Sequence, residues 1–227
     1  MDDCTRKTIS EDHESAGNKF ANSLVVVDFE TTGMSPDQGD RAIEVGAVRL
    51  QDGKIVERFQ QLMNPRVRVN SFIEGYTGIT NSMLAAAPPS RQVMGEFLDF
   101  LGSSNLVAHN ASFDKRFLDA EVARIDKSYR GEFACSMLVS RRICANAPDH
   151  KLATLVAYNE IEPVGDFHRA LADSEMTACL WVKMLNDIEQ QFCMQGLTFD
   201  LMQQLSRTPK RAADTLLLRA AGKPIRN

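Results

Sequence analysis

Hydrophobic positions along the chain follow two periods, one of strands and one of helices. From Leu24 to Val27 an apolar run of strand character ends abruptly in Asp28-Phe29-Glu30. Side chains alternate across a strand, so the two acids project from one face while Phe29 points to the other, into packing. Ala42 to Leu50 is rich in β-branched residues and predicts a second strand, interrupted by Glu44. Asp52-Gly53 is a strong hairpin signal, and Ile55 to Leu62 returns as the third strand of an antiparallel meander. The period then changes. Thr77-Gly78-Ile79-Thr80 leads into a short helical stretch stopped by Pro88-Pro89. Ser90 is placed to cap a helix in which Val93, Met94, Phe97, Leu98 and Leu101 recur at helical spacing, with Gly102 at its end. Leu106 to Ala108 reads as a short buried strand, followed by the loop His109-Asn110-Ala111-Ser112 and a helix carrying Phe113, Phe117, Leu118 and Val122. A short strand at Phe133 to Cys135, helices over Met137 to Cys144 and Leu152 to Asn159, and a strong helix from Arg169 through Trp181 and Leu185 complete the pattern. Strands first, then strands alternating with helices, predict a mixed α/β sheet with an antiparallel edge and Asp28 and Glu30 on its central strand.

Composition narrows this picture. With 227 residues, 44% hydrophobic and 25% charged, the chain supports one sizeable core rather than two. Residues 1–22 are mixed in charge without periodicity and are expected to form a poorly ordered leader; residues 23–190 form the domain, and residues 191–227 a basic C-terminal extension. After residue 205 that extension sets Arg207, Lys210, Arg211, Arg219, Lys223 and Arg226 against Asp214 alone, which suits either a nucleic-acid contact or a partner-docking segment. No run of 18 apolar residues exists and the amino terminus is acidic and polar, so the expected location is cytoplasmic. Five cysteines without C-x-x-C spacing point to neither zinc nor a disulfide framework. A net charge of -4 argues against a nucleic-acid coat held by bulk electrostatics, and leaves room for an enzyme that meets phosphate through bound cations.

The candidate chemistry starts at Asp28 and Glu30. Carboxylates this close repel unless a proton or a cation intervenes, and oxygen-only pairs suit hard divalent ions such as Mg²⁺ or Mn²⁺. A strand end fraying into solvent is the bland alternative for that stretch alone. Thr31-Thr32-Gly33 supplies small side chains and a backbone able to approach a ligand, and Met34 is placed to touch a nucleobase. Asp114 falls in the first turn of its helix, where the dipole keeps a carboxylate ionised. His168 and Asp173 lie about 140° apart if both are helical, so they converge more easily with His168 on the loop entering the helix. Singly, each of these is as well read as a solvated acid or a loop histidine; as an ordered set around a strand acid pair, coincidence is a poor explanation. His109 and Asn110 are expected to shape the loop that places Asp114, with His13 and His150 at the surface.

In that order, Val27-Asp28-Phe29-Glu30-Thr31-Thr32-Gly33, His109-Asn110-Ala111-Ser112-Phe113-Asp114 and His168-Arg169-Ala170-Leu171-Ala172-Asp173 resemble the three exonuclease motifs of the DEDD superfamily. The histidine with four residues before the last Asp resembles its DEDDh branch, which includes the proofreading epsilon subunit of bacterial DNA polymerase III, ribonuclease T and oligoribonuclease. The resemblance covers roughly residues 23–190, including Ile43-Glu44-Val45-Gly46-Ala47-Val48 and Thr77-Gly78-Ile79-Thr80. It implies an RNase H-like five-stranded mixed sheet flanked by helices, whose second strand is antiparallel. It carries metal binding, through two divalent cations, Mg²⁺ or Mn²⁺, onto Asp28, Glu30, Asp114 and Asp173, and the general base onto His168. The implied activity is 3′ to 5′ hydrolysis at nucleic-acid 3′ ends, releasing nucleoside 5′-monophosphates. Thr31-Thr32-Gly33 looks more like the DNA-directed members, so single-stranded DNA is favoured over RNA, with a polymerase or repair protein as the implied partner. RNA 3′-end trimming and a non-catalytic nucleic-acid-binding or polymerase-associated module are the alternatives.

Overall fold

The computed structural model describes residues 19–162 and 168–224. Five strands form one sheet in the order β3-β2-β1-β4-β5: β1 (Leu24–Thr31), β2 (Ala42–Gln51), β3 (Lys54–Leu62), β4 (Leu106–Ala108) and β5 (Phe133–Cys135). β1 pairs antiparallel with β2 and parallel with β4, so it is the central strand expected from its apolar character. β2 and β3 form the meander across the Asp52-Gly53 turn, and β4 pairs parallel with β5. Both faces of β1 are buried. Leu24 and Val26 enter one core with Trp181 and Met184, while Val25, Val27 and Phe29 enter the other with Phe97 and Leu101. The Phe29 ring meets Phe97 edge-on, with centroids 6.1 Å apart. The alternation therefore leaves Asp28 and Glu30 on the Leu24/Val26 face.

Nine α-helices cover the sheet among the described residues. They are α1 (Ser71–Thr77), α2 (Asn81–Ala86), α3 (Ser90–Leu101), α4 (Ser112–Ala123), α5 (Ser136–Ile143), α6 (Leu152–Tyr158), α7 (Ala170–Phe192), α8 (Phe199–Arg207) and α9 (Ala213–Ala220). α1 was not expected; Asn70 caps it by accepting from the Ile73 N–H at 3.0 Å, and Glu74 accepts from Asn81 at 2.7 Å. Ser90 opens α3 as its first helical residue, after Pro89 at the cap, and its hydroxyl donates to the Asn64 carbonyl. None of these helices is long and apolar enough to cross a membrane.

The packing does not break where the sequence suggested domain ends. The Trp181 indole N–H donates to the Ala21 carbonyl at 2.7 Å, and Ala21 is fully buried, so residues just before β1 are part of the domain. Leu197, Phe199, Met202, Leu205, Ala213 and Leu217 join the same core as Trp181. Arg207 and Arg219 therefore ride on helices whose apolar faces complete the domain. Residues 1–18 and Arg226 lie outside the described residues.

Candidate active site

The site forms where β1, α4 and the start of α7 meet. α7 lies so close on β2 that a side chain at Gly46 would strike the backbone of Ala170 and Leu171. Gly46 stands opposite Asp28 in the β1–β2 register, and Glu44 stands opposite Glu30. The Ser174 hydroxyl donates to the Gly46 carbonyl at 2.8 Å, fixing this first turn of α7 over the acid pair. Asp173 then arrives beside Asp28 and Glu30: one carboxylate oxygen from each of the three lies within 4.8 Å of the others. Asp114 approaches from α4, whose Glu121 takes Arg41 in two bonds of 2.7 and 2.8 Å and the Ala42 N–H at 3.3 Å. One Asp114 oxygen accepts the Phe29 N–H at 3.2 Å, which sets this carboxyl against the backbone between the two β1 acids.

His168 sits on the loop entering α7, in a left-handed backbone conformation with φ of 68°. Its N–H donates to one oxygen of Asp173 at 3.0 Å. The other Asp173 oxygen is buried and has no hydrogen-bond partner among the described residues. Buried polar atoms are rarely left so, and a carboxylate oxygen of this kind inside a cluster of acids is suited to ligate a cation. Glu44 supplies the contrast. It is fully buried, yet its oxygens accept from Arg169 at 2.8 and 3.2 Å, from Gln60 at 2.9 Å and from the Ala170 N–H at 3.2 Å. Glu44 is thus occupied as a clamp on the start of α7, whereas Asp173 keeps one buried oxygen unpartnered among the described residues.

The electrostatics agree with a site built for positive charge. Burial, then the charge of Asp173, pushes Glu30 up to about 8. Burial lifts Asp114 to about 7, against the pull of its own N–H and that of Phe29. Asp28 is raised well above the ordinary carboxylate range, by burial first and then by Asp114 and Glu30; Asp173 is raised by burial as well. Like charges crowded in a low-dielectric pocket take up protons unless a cation replaces them. The donor set, all oxygen with one orphaned acceptor, fits hard divalent ions.

A family model described as Exonuclease matches residues 25–180. The chain belongs to this exonuclease family. The exonuclease domain is 36% identical over 167 residues to DNA polymerase III PolC-type of Caldanaerobacter subterraneus subsp. tengcongensis, covering 74% of this chain and 12% of that protein. To the PolC-type enzyme of Staphylococcus haemolyticus it is 37% identical over 198 residues, 85% of this chain and 13% of the other. The chain thus spans only about an eighth of the length of these curated relatives. Among solved structures, Exonuclease X in complex with 5′ overhanging duplex DNA aligns with a TM-score of 0.64 and 26% identity, over 81% of this chain and 99% of that one. The nuclease domain of 3′hExo, a DEDDh family member bound to rAMP, shares the fold with a TM-score of 0.62 at 24% identity, over 73% and 92% of the two chains.

Asp28, His168 and Asp173 of the exonuclease domain line one cleft of about 850 Å³ with Tyr76, His109, Asn110 and residues of α5 and α6. The hydroxyls of the segment after Glu30 are turned to its own loop: Thr31 donates to the Gly33 carbonyl at 2.6 Å, and Thr32 bonds Asp40 and the Arg41 N–H. A side chain at Gly33 would strike the Asp40 carboxylate, which explains that glycine by packing. Met34 is 68% exposed and is not among the residues lining the cleft. His109 is held by Ser136 and the His150 carbonyl, both at 2.9 Å, as befits a residue that shapes the loop. His150, expected at the surface, is half-buried and lines the cleft, because that same carbonyl contact draws its loop inward. His13 lies outside the described residues.

Sequence reasoning passed over Tyr76 and Phe72. The Tyr76 ring packs on the His168 imidazole with centroids 4.0 Å apart, and Phe72 stacks on Tyr76 at 5.9 Å. Both are exposed, 51% for Tyr76 and 72% for Phe72. Two aromatic residues four apart in a polar segment were the available signal, since they share a helix face.

Proposed function

We propose that this chain is a metal-dependent 3′ to 5′ exonuclease that removes nucleoside 5′-monophosphates from 3′ ends, with single-stranded DNA as the preferred substrate. The observation that carries the reading is the convergence of Asp28, Glu30 and Asp173 oxygens within 4.8 Å, with an unpartnered Asp173 oxygen and His168 at the rim of the same cleft. Two divalent ions, Mg²⁺ or Mn²⁺, when bound, supply positive charge at the scissile phosphate and acidify water. Asp28, central among the acids, is our candidate for the shared ligand, with Glu30, Asp114 and Asp173 completing the set. The His168 imidazole, which lines the cleft beside Asp28 and Asp173, takes the proton of the attacking water. Tyr76, stacked on that imidazole and exposed beyond it, offers a face to the terminal base; such stacking tolerates any base. The preference for DNA is supported by the PolC-type relatives and by the DNA complex of Exonuclease X.

The test uses 5′-labelled single-stranded DNA, duplex DNA and RNA with Mg²⁺, Mn²⁺ or EDTA, with product identity read by chromatography. Nucleoside 5′-monophosphates released fastest from single-stranded DNA are expected. Nucleoside 3′-monophosphates or internal cuts would overturn the mechanism, and faster RNA digestion would overturn the substrate preference. A polymerase or repair partner belongs to this same reading, motivated by relatives in which such a domain is part of a far longer polymerase chain.

A further inference from the structure

The cleft does not end at the acids. It runs on past Met137, Leu152 and Ala153 to Arg141, Asp149, His150 and Lys151. At about 850 Å³ it lies at the upper end of the roughly 300–1,000 Å³ that single small ligands occupy. Its lining combines carboxylates, apolar side chains and cations. That combination of chemistries matches a nucleotide chain: a reacting phosphate, a base, and the next phosphate.

Neither Arg141 nor Lys151 forms an ion pair with a described residue. Arg141 reaches the sulfur of Met137, one turn earlier on α5, at 3.9 Å. Asp149, the one acid nearby in the lining, accepts the backbone N–H of Lys151 at 2.9 Å. The surroundings are net positive enough that His150, already lowered by burial, is lowered further by Arg141 and Lys210. Lys210 is itself drawn to this side by the Ala145 carbonyl at 3.2 Å.

The segment is also held in place. The His150 carbonyl is bonded to His109, and its ring nitrogen meets the Ser140 hydroxyl at 3.3 Å. His109 is tied in turn to Ser136 at the start of α5. A surface fixed before binding loses little freedom when a ligand arrives.

We propose that this far end is a subsite for the nucleotide upstream of the scissile bond, with Met137 and Leu152 against its base and Arg141 and Lys151 on its phosphate. The inference rests on the exonuclease reading and adds the path of the strand. It also places the phosphate-binding cations on the α5–α6 segment, where the sequence had drawn attention to the basic C-terminus instead.

The full chain is assayed with Mg²⁺ on two substrates: the p-nitrophenyl ester of thymidine 5′-monophosphate, which fills only the terminal position, and an eight-nucleotide oligothymidylate. The variants are Arg141→Gln, Lys151→Gln, the double variant and Lys151→Glu, all at exposed positions. In the double variant the ratio of kcat/KM on the oligonucleotide to that on the ester is expected to fall about tenfold or more, and Lys151→Glu to exceed Lys151→Gln. The salt dependence of the oligonucleotide KM should flatten by about 0.7 in log–log slope for each cation removed. A ratio and slope equal to wild type in all four variants would overturn the subsite while leaving the exonuclease reading intact. Equal losses on both substrates would also overturn it, because a distorted active site moves both together. A wild-type chain inert on both substrates would overturn the exonuclease reading, and the subsite with it.

Discussion

Raising the pH of the metal-free protein should destabilise it, and a divalent cation should reverse the loss. Glu30, 9% exposed and crowded by Asp173 and Glu44, is lifted from its ordinary 4.5 to about 8. A carboxyl whose folded value is raised binds its proton more tightly in the native state than in the unfolded chain. Its stabilising contribution is therefore complete below about pH 4.5 and is lost as pH climbs towards about 8. Each tenfold change in proton affinity is about 1.4 kcal/mol, so Glu30 alone sets a ceiling near about 5 kcal/mol. For a chain of this size 1 kcal/mol moves the melting temperature by about 2–4 °C, so Glu30 alone accounts for a fall of at most about 10–20 °C as pH climbs through that range. Asp28, Asp114 and Asp173, raised in the same sense, steepen it. Mg²⁺ at a hundred times its dissociation constant should restore about 2.7 kcal/mol at pH 8 and much less at pH 5, where protons compete. Differential scanning calorimetry from pH 5 to 8 in EDTA and in Mg²⁺ reads both effects, and Glu30→Gln should melt above wild type at pH 8 in EDTA. A flat melting temperature in EDTA, or equal Mg²⁺ stabilisation at both ends of the range, would refute the reasoning.

Three further outcomes are expected. His168→Ala should lower kcat by about 10² to 10⁴ with a small change in metal affinity; steady-state kinetics with Mg²⁺ titration decides this, a wild-type kcat speaking against the role. Tyr76→Ala removes the exposed ring beside His168 and should raise KM by about 5- to 100-fold, the span of one base-stacking contact of about 1–3 kcal/mol, with unchanged KM speaking against it. Gly46→Ala pushes the first turn of α7 off β2, so thermal melting should show a loss of about 1–3 kcal/mol and kcat should fall with it, since Asp173 moves with that turn.

What the sequence made legible was local. The alternation of Leu24 to Glu30 puts both acids on one face without help from distant residues, and the Asp114 and Asp173 positions follow from where their helices start. The parts that stayed hidden depend on residues far apart in the chain. Glu44 read as an interruption of a strand, yet it is tolerated in the core because Arg169, 125 residues later, neutralises it and ties α7 to β2. Tyr76 lies on α1, seven residues long, whose existence rests on the Asn70 cap and the Glu74–Asn81 bonds more than on periodicity. The basic composition of the C-terminal segment says nothing about the buried side of α8 and α9. Ala213 and Leu217 are buried there, so cutting before Ser206 would strip core as well as charge.

The most direct test of the account follows a 5′-labelled single strand in Mg²⁺ with the wild-type chain and with Asp173→Asn, which alters the carboxylate whose buried oxygen has no partner among the described residues. The account predicts that wild type shortens the strand one nucleotide at a time from its 3′ end, and that Asp173→Asn in Mg²⁺, like wild type in EDTA, leaves it at full length. Shortening at the wild-type rate in EDTA or by the folded variant would contradict it.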